Sequence, residues 1–198
     1  MADSDVAVCN IALAEIGDQA IVSLGDDAAR ARALNLMYLP ILDAMLRSHN
    51  WNFAQFRVAL NRLTATPAFD FTYMYELPTA PLCLIVLETS LDENEPWRIE
   101  TYQTGSASYR VLITDASSVN ILYVGRVTDV SRWDPLFADA MSIELAARIC
   151  YALTRNASLQ DVLEKKAVDK WRIAKSRDGQ EGRALKKLLS NQLLRVRT

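Results

Sequence analysis

One histidine, His49, stands in a chain of 198 residues, so imidazole acid–base chemistry, a Ser-His-Asp triad or a histidine-rich metal site would all have to run through it. Its position at the end of an apolar helical pattern, beside Trp51, assigns it to capping or packing. The cysteines Cys9, Cys83 and Cys150 are far apart and form no Cys-x-x-Cys, which speaks against zinc. They are expected to be reduced and buried, in a cytosolic setting. Gly105-Ser106-Ala107-Ser108 lacks the flanking glycines of a nucleophile elbow. Six glycines make no phosphate-cradling loop. Asp92, Glu93 and Glu95 lack the ligand spacing and loop glycine of a hard-cation site and read as a solvated turn. No residue is therefore assigned a catalytic, cofactor-binding or metal-binding role, and no cofactor is expected.

Charge is the stronger signal. Residues 1–163 hold 11 arginines, no lysine and 20 carboxylates, a net of −9. Residues 164–198 hold 11 basic and 4 acidic side chains, a net of +7. Such a two-pole chain suits an acidic partner at its basic end, or head-to-tail assembly. No apolar run reaches membrane-spanning length, and the acidic start, Met1 to Asp5, lacks the basic region of a secretory signal.

The elements that must carry these residues follow from the apolar period. Ser4 caps a first helix, over 4–17, which Gly17 ends. Gly25-Asp26-Asp27 opens a second, over 26–48, whose apolar face includes Leu34, Tyr38, Ile41, Leu42 and Met45 and which contains Pro40. The period then changes from 3.6 to 2. Phe69 to Leu77 alternates as a strand, Leu82 to Glu88 reads as a covered strand, and three short strands follow at 97–102, 109–114 and 119–124. Helical spacing returns at Asp134-Pro135 over 134–155. A fourth helix over 158–178 is capped by Ser158 with Asp161. The expected fold is α+β: a bundle of about four helices, an antiparallel β-region near 55–127 inserted between helices 4–48 and 134–178, and an extended C-terminal tail. Residues 1–178 form one domain in this reading. Trp51, Phe53 and Trp133 flank both crossings between helical and β parts and are expected at their junction.

Gly179 and Gly182 are read as breaking the fourth helix and freeing 179–198 as a docking tail. Leu185, Leu188, Leu189, Leu193 and Val196 make an apolar stripe there, flanked by Arg183, Lys186, Lys187, Arg195 and Arg197. Apolar anchors at this spacing fit a protein groove better than a phosphate backbone. The stripe either fills a partner's groove or folds back on its own subunit as a fifth helix.

Several segments resemble the tail tubular protein A family of short-tailed phages, the head-to-tail adaptors. They are Asn10 to Gly17, Ile21 with Ser23-Leu24, Ala28 to Tyr38, and Trp51-Asn52-Phe53-Ala54 with Arg57 and Leu60. Tyr75-Glu76-Leu77-Pro78, Tyr123 to Asp129 and Trp133 to Phe137 with Leu145-Ala146 complete the series, in the family's order. Thr79-Ala80-Pro81 departs from the family's short polar turn. The resemblance implies a structural virion protein that is no enzyme. It would form a ring of twelve copies under the portal protein, bind the next tail or nozzle component, and pass genomic DNA through its lumen without reading its sequence. The segment matching the family's portal grip is about 176–198. Its location would be the virion, at the head–tail interface, and the host cytoplasm during assembly, with no membrane partner. The alternatives are another virion or scaffold interaction module, or a hydrolase.

Overall fold

A computed structural model describes residues 4–181. It is an α+β structure of four helices and two small antiparallel sheets. The helices are α1 (Asp5–Glu15), α2 (Ala29–Arg47), α3 (Pro135–Thr154) and α4 (Ala157–Glu181). All six strands lie between α2 and α3 in the chain: β1 (Gln55–Ala59), β2 (Tyr73–Glu76), β3 (Cys83–Thr89), β4 (Trp97–Thr104), β5 (Ala107–Thr114) and β6 (Asn120–Gly125).

The helix ends follow from side-chain chemistry. The Ser4 hydroxyl accepts from the Ala7 amide at the start of α1. Gly17, at φ 76°, turns the chain out of α1 while the Gly17 and Asp18 amides donate to the Ala14 and Leu13 carbonyls. Asp134 caps α3 by accepting from the Leu136 and Phe137 amides, with Pro135 at the first helical position. α2 begins later than its acidic opening suggests, at Ala29. The Asp26 carboxylate is instead spent on the Val22 and Ser23 amides of the preceding loop. α4 is capped by Asn156, whose side chain accepts from the Leu159 amide, so Ser158 is not its cap. Gly179 does not end α4, which continues to Glu181. A single glycine costs a helix only about 1 kcal/mol, and the packing of Asp178 holds this turn in place.

α3 is the central element. Eleven of its residues are buried, and α1, α2 and α4 all pack on it. α4 buries Leu163, Ala167, Ala174 and Asp178. Two of its lysines reach acids on neighbouring helices, Lys166 to Glu15 and Lys170 to Asp139, both at 2.6 Å.

The β-region is two three-stranded sheets rather than one, ordered β1-β6-β3 and β2-β5-β4. The first sheet turns Leu84 and Val124 toward the helical core. Its other face contributes Cys83, Ile121 and Tyr123 to a second core with Tyr75 and Leu112 of the other sheet and with Leu77, the residue after β2. β3 is irregular against β6 at Cys83/Ile85 and Val86/Glu88, which lets neighbouring residues serve different faces. The expected strand over Phe69–Leu77 shortens to Tyr73–Glu76. Asp70 sits at φ 66° and the Phe71 amide donates to the Phe69 carbonyl, so the chain turns where the alternation suggested extension. Phe69 is left exposed, and Phe71 packs beside Met74, Val111 and Ile113 on the outer face of the second sheet. β4 and β5 are joined through Gly105 at φ 56°, the left-handed first position of a tight hairpin.

Two glycines make opposite predictions. A Cβ on Gly125 would meet the Phe56 ring at 2.8 Å and Pro81 at 3.1 Å, whereas one on Gly179 meets nothing within 4 Å. Gly125→Ala is expected to destabilise the fold by about 1–3 kcal/mol through overpacking. Gly179→Ala is expected to stabilise it by up to ~1 kcal/mol. Urea denaturation of both variants checks the contrast.

Candidate functional site

Four elements converge at the C-terminal end of α2. The Trp51 indole is fully buried, and its N–H donates to the Met45 carbonyl at 3.0 Å. The Trp51 ring lies 4.9 Å from Phe137, 5.2 Å from Trp171 and 5.9 Å from Phe53. Phe137 also meets Phe53 and Trp133, each at 5.0 Å. The Trp133 indole donates to the Val127 carbonyl. Trp51, Phe53 and Trp133 thus meet around Phe137 at the start of α3, and α4 adds Trp171 from the other side.

Beside this cluster, Asp178 of α4 is 4% exposed. One of its carboxylate oxygens accepts from the Asn52 amide at 3.0 Å, and the other lies 3.0 Å from His49 Nε2. The Asn52 side-chain amide donates to the Asp178 carbonyl. His49 stacks edge-on against Trp51 at 4.7 Å. A carboxylate so enclosed needs these donors, because burying it without them would cost several kcal/mol. The His49–Asp178 pair has the composition of a general base with its orienting acid. Here the acid also fastens the last turns of α4 to Asn52, which makes the constellation a clasp. Sequence reading missed Asp178, which lies 129 residues from His49. The one available signal was its place on the buried stripe of α4, one helical turn beyond Ala174.

α2 and α4 both lie on α3 and leave a cleft of about 370 Å³ between them. Met37, Ile41 and Ala44 of α2, Ala140 of α3 and Ala167 and Trp171 of α4 make its apolar lining. Glu144 and Arg148, paired at 2.8 Å, border it, and Ser48 lies at the end nearest His49.

The helical and β parts are also tied by arginines. Arg126 engages both carboxylate oxygens of Asp43 on α2. That pairing raises the Arg126 pKa above its ordinary value. Arg47 donates to the Leu84 carbonyl at 2.7 Å.

The three cysteines are free and buried. Burial, reinforced by Asp5, pushes the Cys9 thiol up to about 12. Burial, with Cys9 and Asp5 adding to it, pushes the Tyr38 hydroxyl up as well. That hydroxyl has no hydrogen-bond partner among the described residues. Asp92, Glu93 and Glu95 lie in the turn before β4, where the Glu95 amide donates to the Asp92 carbonyl. Among the described residues no three His, Cys, Asp or Glu side chains are placed to hold a metal ion. No described helix is long and apolar enough to cross a membrane. Arg183, Leu185, Lys186, Lys187, Leu188, Leu189, Leu193, Arg195 and Arg197 lie outside the described residues.

No protein-family profile matches the chain, and a search of curated proteins returns no match.

Asp178→Ala leaves the Asn52 amide and the His49 ring without their shared acceptor. The expected loss is about 1–3 kcal/mol, seen as a melting temperature several degrees lower, with Asp178→Asn milder. Cys9 gives a prediction in alkali. Its folded pKa is raised above the ~8.5 of a free thiol, so its contribution is full below that pH and is lost as pH rises toward 12. Stability measured across that window should fall less steeply for Cys9→Ala than for the parent. The native thiols should resist alkylation until denaturant is added.

Proposed function

We propose that this chain is a structural connector subunit of a short-tailed phage, a head-to-tail adaptor that acts as a binding part and not as an enzyme. Twelve copies would ring the channel below the portal, with the basic end gripping the portal protein and the far side receiving the next tail or nozzle component. Genomic DNA would pass through the lumen, and the chain would reside at the head–tail interface of the virion. In this reading the four helices form the adaptor's bundle and the two sheets its inserted β-region.

The observation that carries this reading is the separation of charge along the chain. The body is acidic, and every lysine stands at Lys165 or later. Within α4, Lys166 and Lys170 are engaged on Glu15 and Asp139, and Lys175 lies over the Trp171 ring. The five basic residues beyond Glu181 have no acidic residue among them. They are interleaved with leucines at helical spacing, the composition of a segment that anchors in an apolar groove with a charged rim. Rim charges speed encounter and fix register more than they add affinity. An acidic or neutral lumen suits a conduit, since a wall that bound phosphates would hold the genome back. The order of the family-like segments from Asn10 to Ala146 agrees with the reading. Several of their residues are structural ties here, among them Asn10, which hydrogen-bonds both the amide and the carbonyl of Ile21.

Co-assembly with a portal ring tests it. A chain ending at Glu181 should lose portal binding by at least about 100-fold, and the full chain's association rate should fall as salt rises. Retained binding by the shortened chain overturns the docking role. A particle-bound copy number other than twelve overturns the stoichiometry.

A further inference from the structure

The cleft between α2 and α4 is built of apolar side chains around three alanines, Ala44, Ala140 and Ala167, whose small size leaves the space open. At about 370 Å³ it has room for several branched side chains. Three observations bear on what fills it.

The first is where the chain leaves the described structure. The clasp of His49 and Asn52 on Asp178 holds the last turn of α4 against the end of α2. Ser48, adjacent to His49, is also a lining residue of the cleft. Glu181, less than one turn beyond Asp178, lies ten residues past Trp171, the last α4 residue that lines the cleft, so the chain leaves beyond the end of the cleft marked by Ser48 and must turn back to enter it; Gly182 comes next. Glycine is the residue type at which a helical chain most readily reverses.

The second is length and pattern. Seventeen residues follow Glu181 in this sequence. A helix over 183–197 would be about 22 Å long, against about 17 Å for the stretch of α2 from Met37 to Ser48 that borders the cleft. Leu185, Leu188, Leu189, Leu193 and Val196 would lie along one face of such a helix, and Lys186, Lys187 and Arg197 would lie off it.

The third is charge. Residues 1–181 carry a net −7 and residues 182–198 a net +5. Attachment within one chain also works at high effective concentration, because a short connection keeps the segment near its site.

We propose that, in the chain by itself, residues 183–197 dock in the α2–α4 cleft as a fifth helix with their leucines against Ile41, Ala44, Ala140 and Trp171. The cleft is the seat of this segment, and a partner that takes the segment must compete it out.

The inference concerns the isolated full chain and stands apart from the connector reading, since its test contains no portal. Leu189→p-benzoylphenylalanine in the full chain, illuminated at low micromolar concentration and mapped by mass spectrometry, should crosslink within one chain to residues 37–48 or 167–171. Crosslinks to other segments, or only between two chains at dimer mass, overturn the proposal, the second result assigning the cleft to another copy. In parallel, Leu188→Asp with Leu189→Asp in the full chain should speed amide exchange across 37–48 by several-fold and leave α1 unchanged. Equal exchange in parent and variant overturns it independently of crosslinking chemistry.

Discussion

The Phe137 ring is the point on which the rest of the packing depends. It is fully buried in the first turn of α3, directly after the Asp134 cap, and its neighbours come from three other parts of the chain. Trp51 and Phe53 arrive from the segment between α2 and β1, Trp133 from the segment after β6, and Trp171 from α4. Each aromatic pair adds about 0.5–1.5 kcal/mol beyond its buried area. The larger effect is geometric. Both points where the chain crosses between helices and sheets are fixed against one ring, so the β-region cannot be repositioned without opening the helical core.

Polar contacts at the edge of that core do a different task. Arg126 with Asp43, Arg47 with the Leu84 carbonyl, and Arg110 with the Cys83 carbonyl at 2.6 Å link one layer to the next. Arg126 and Asp43 are about one-third exposed, so their pairing is worth at most about 1 kcal/mol, and its value lies in orientation. Asp178 is the exception. It is buried, and the penalty for removing its partners is far larger than for any exposed pair. That asymmetry explains why α4 runs straight through Gly179: the clasp holds the backbone that glycine alone would loosen.

α4 also shows how one helix can be both structural and available. Its inner side carries small residues and a tryptophan against α3, and its flanking lysines are matched to acids on α1 and α3. Its other side exposes Val162, Val168 and Ile173. The helix closes the core and at the same time forms one wall of a cleft that opens outward.

The alternation of helical and β segments was legible in the sequence because the apolar period changes where the backbone changes, and capping chemistry is local. Ser4, Gly17, Gly105 and Asp134-Pro135 announce their roles within a few residues, since each satisfies or redirects backbone groups close by. Tertiary structure decided the rest. The alternation from Phe69 gave no sign that Asp70 would turn the chain, because a left-handed residue is set by what its neighbours pack on. The division into two sheets depends on which strand pairs with which, a choice made by contacts between β1, β3 and β6 that lie far apart in the chain. In the sequence Asp178 is one more charge on a helix of mixed charge, and it becomes a buried acceptor only because α3 brings α4 against the end of α2. Local residue chemistry fixes where helices begin and which faces are apolar. Which apolar faces meet, and which polar groups are then sealed from water with them, is a property of the assembled chain.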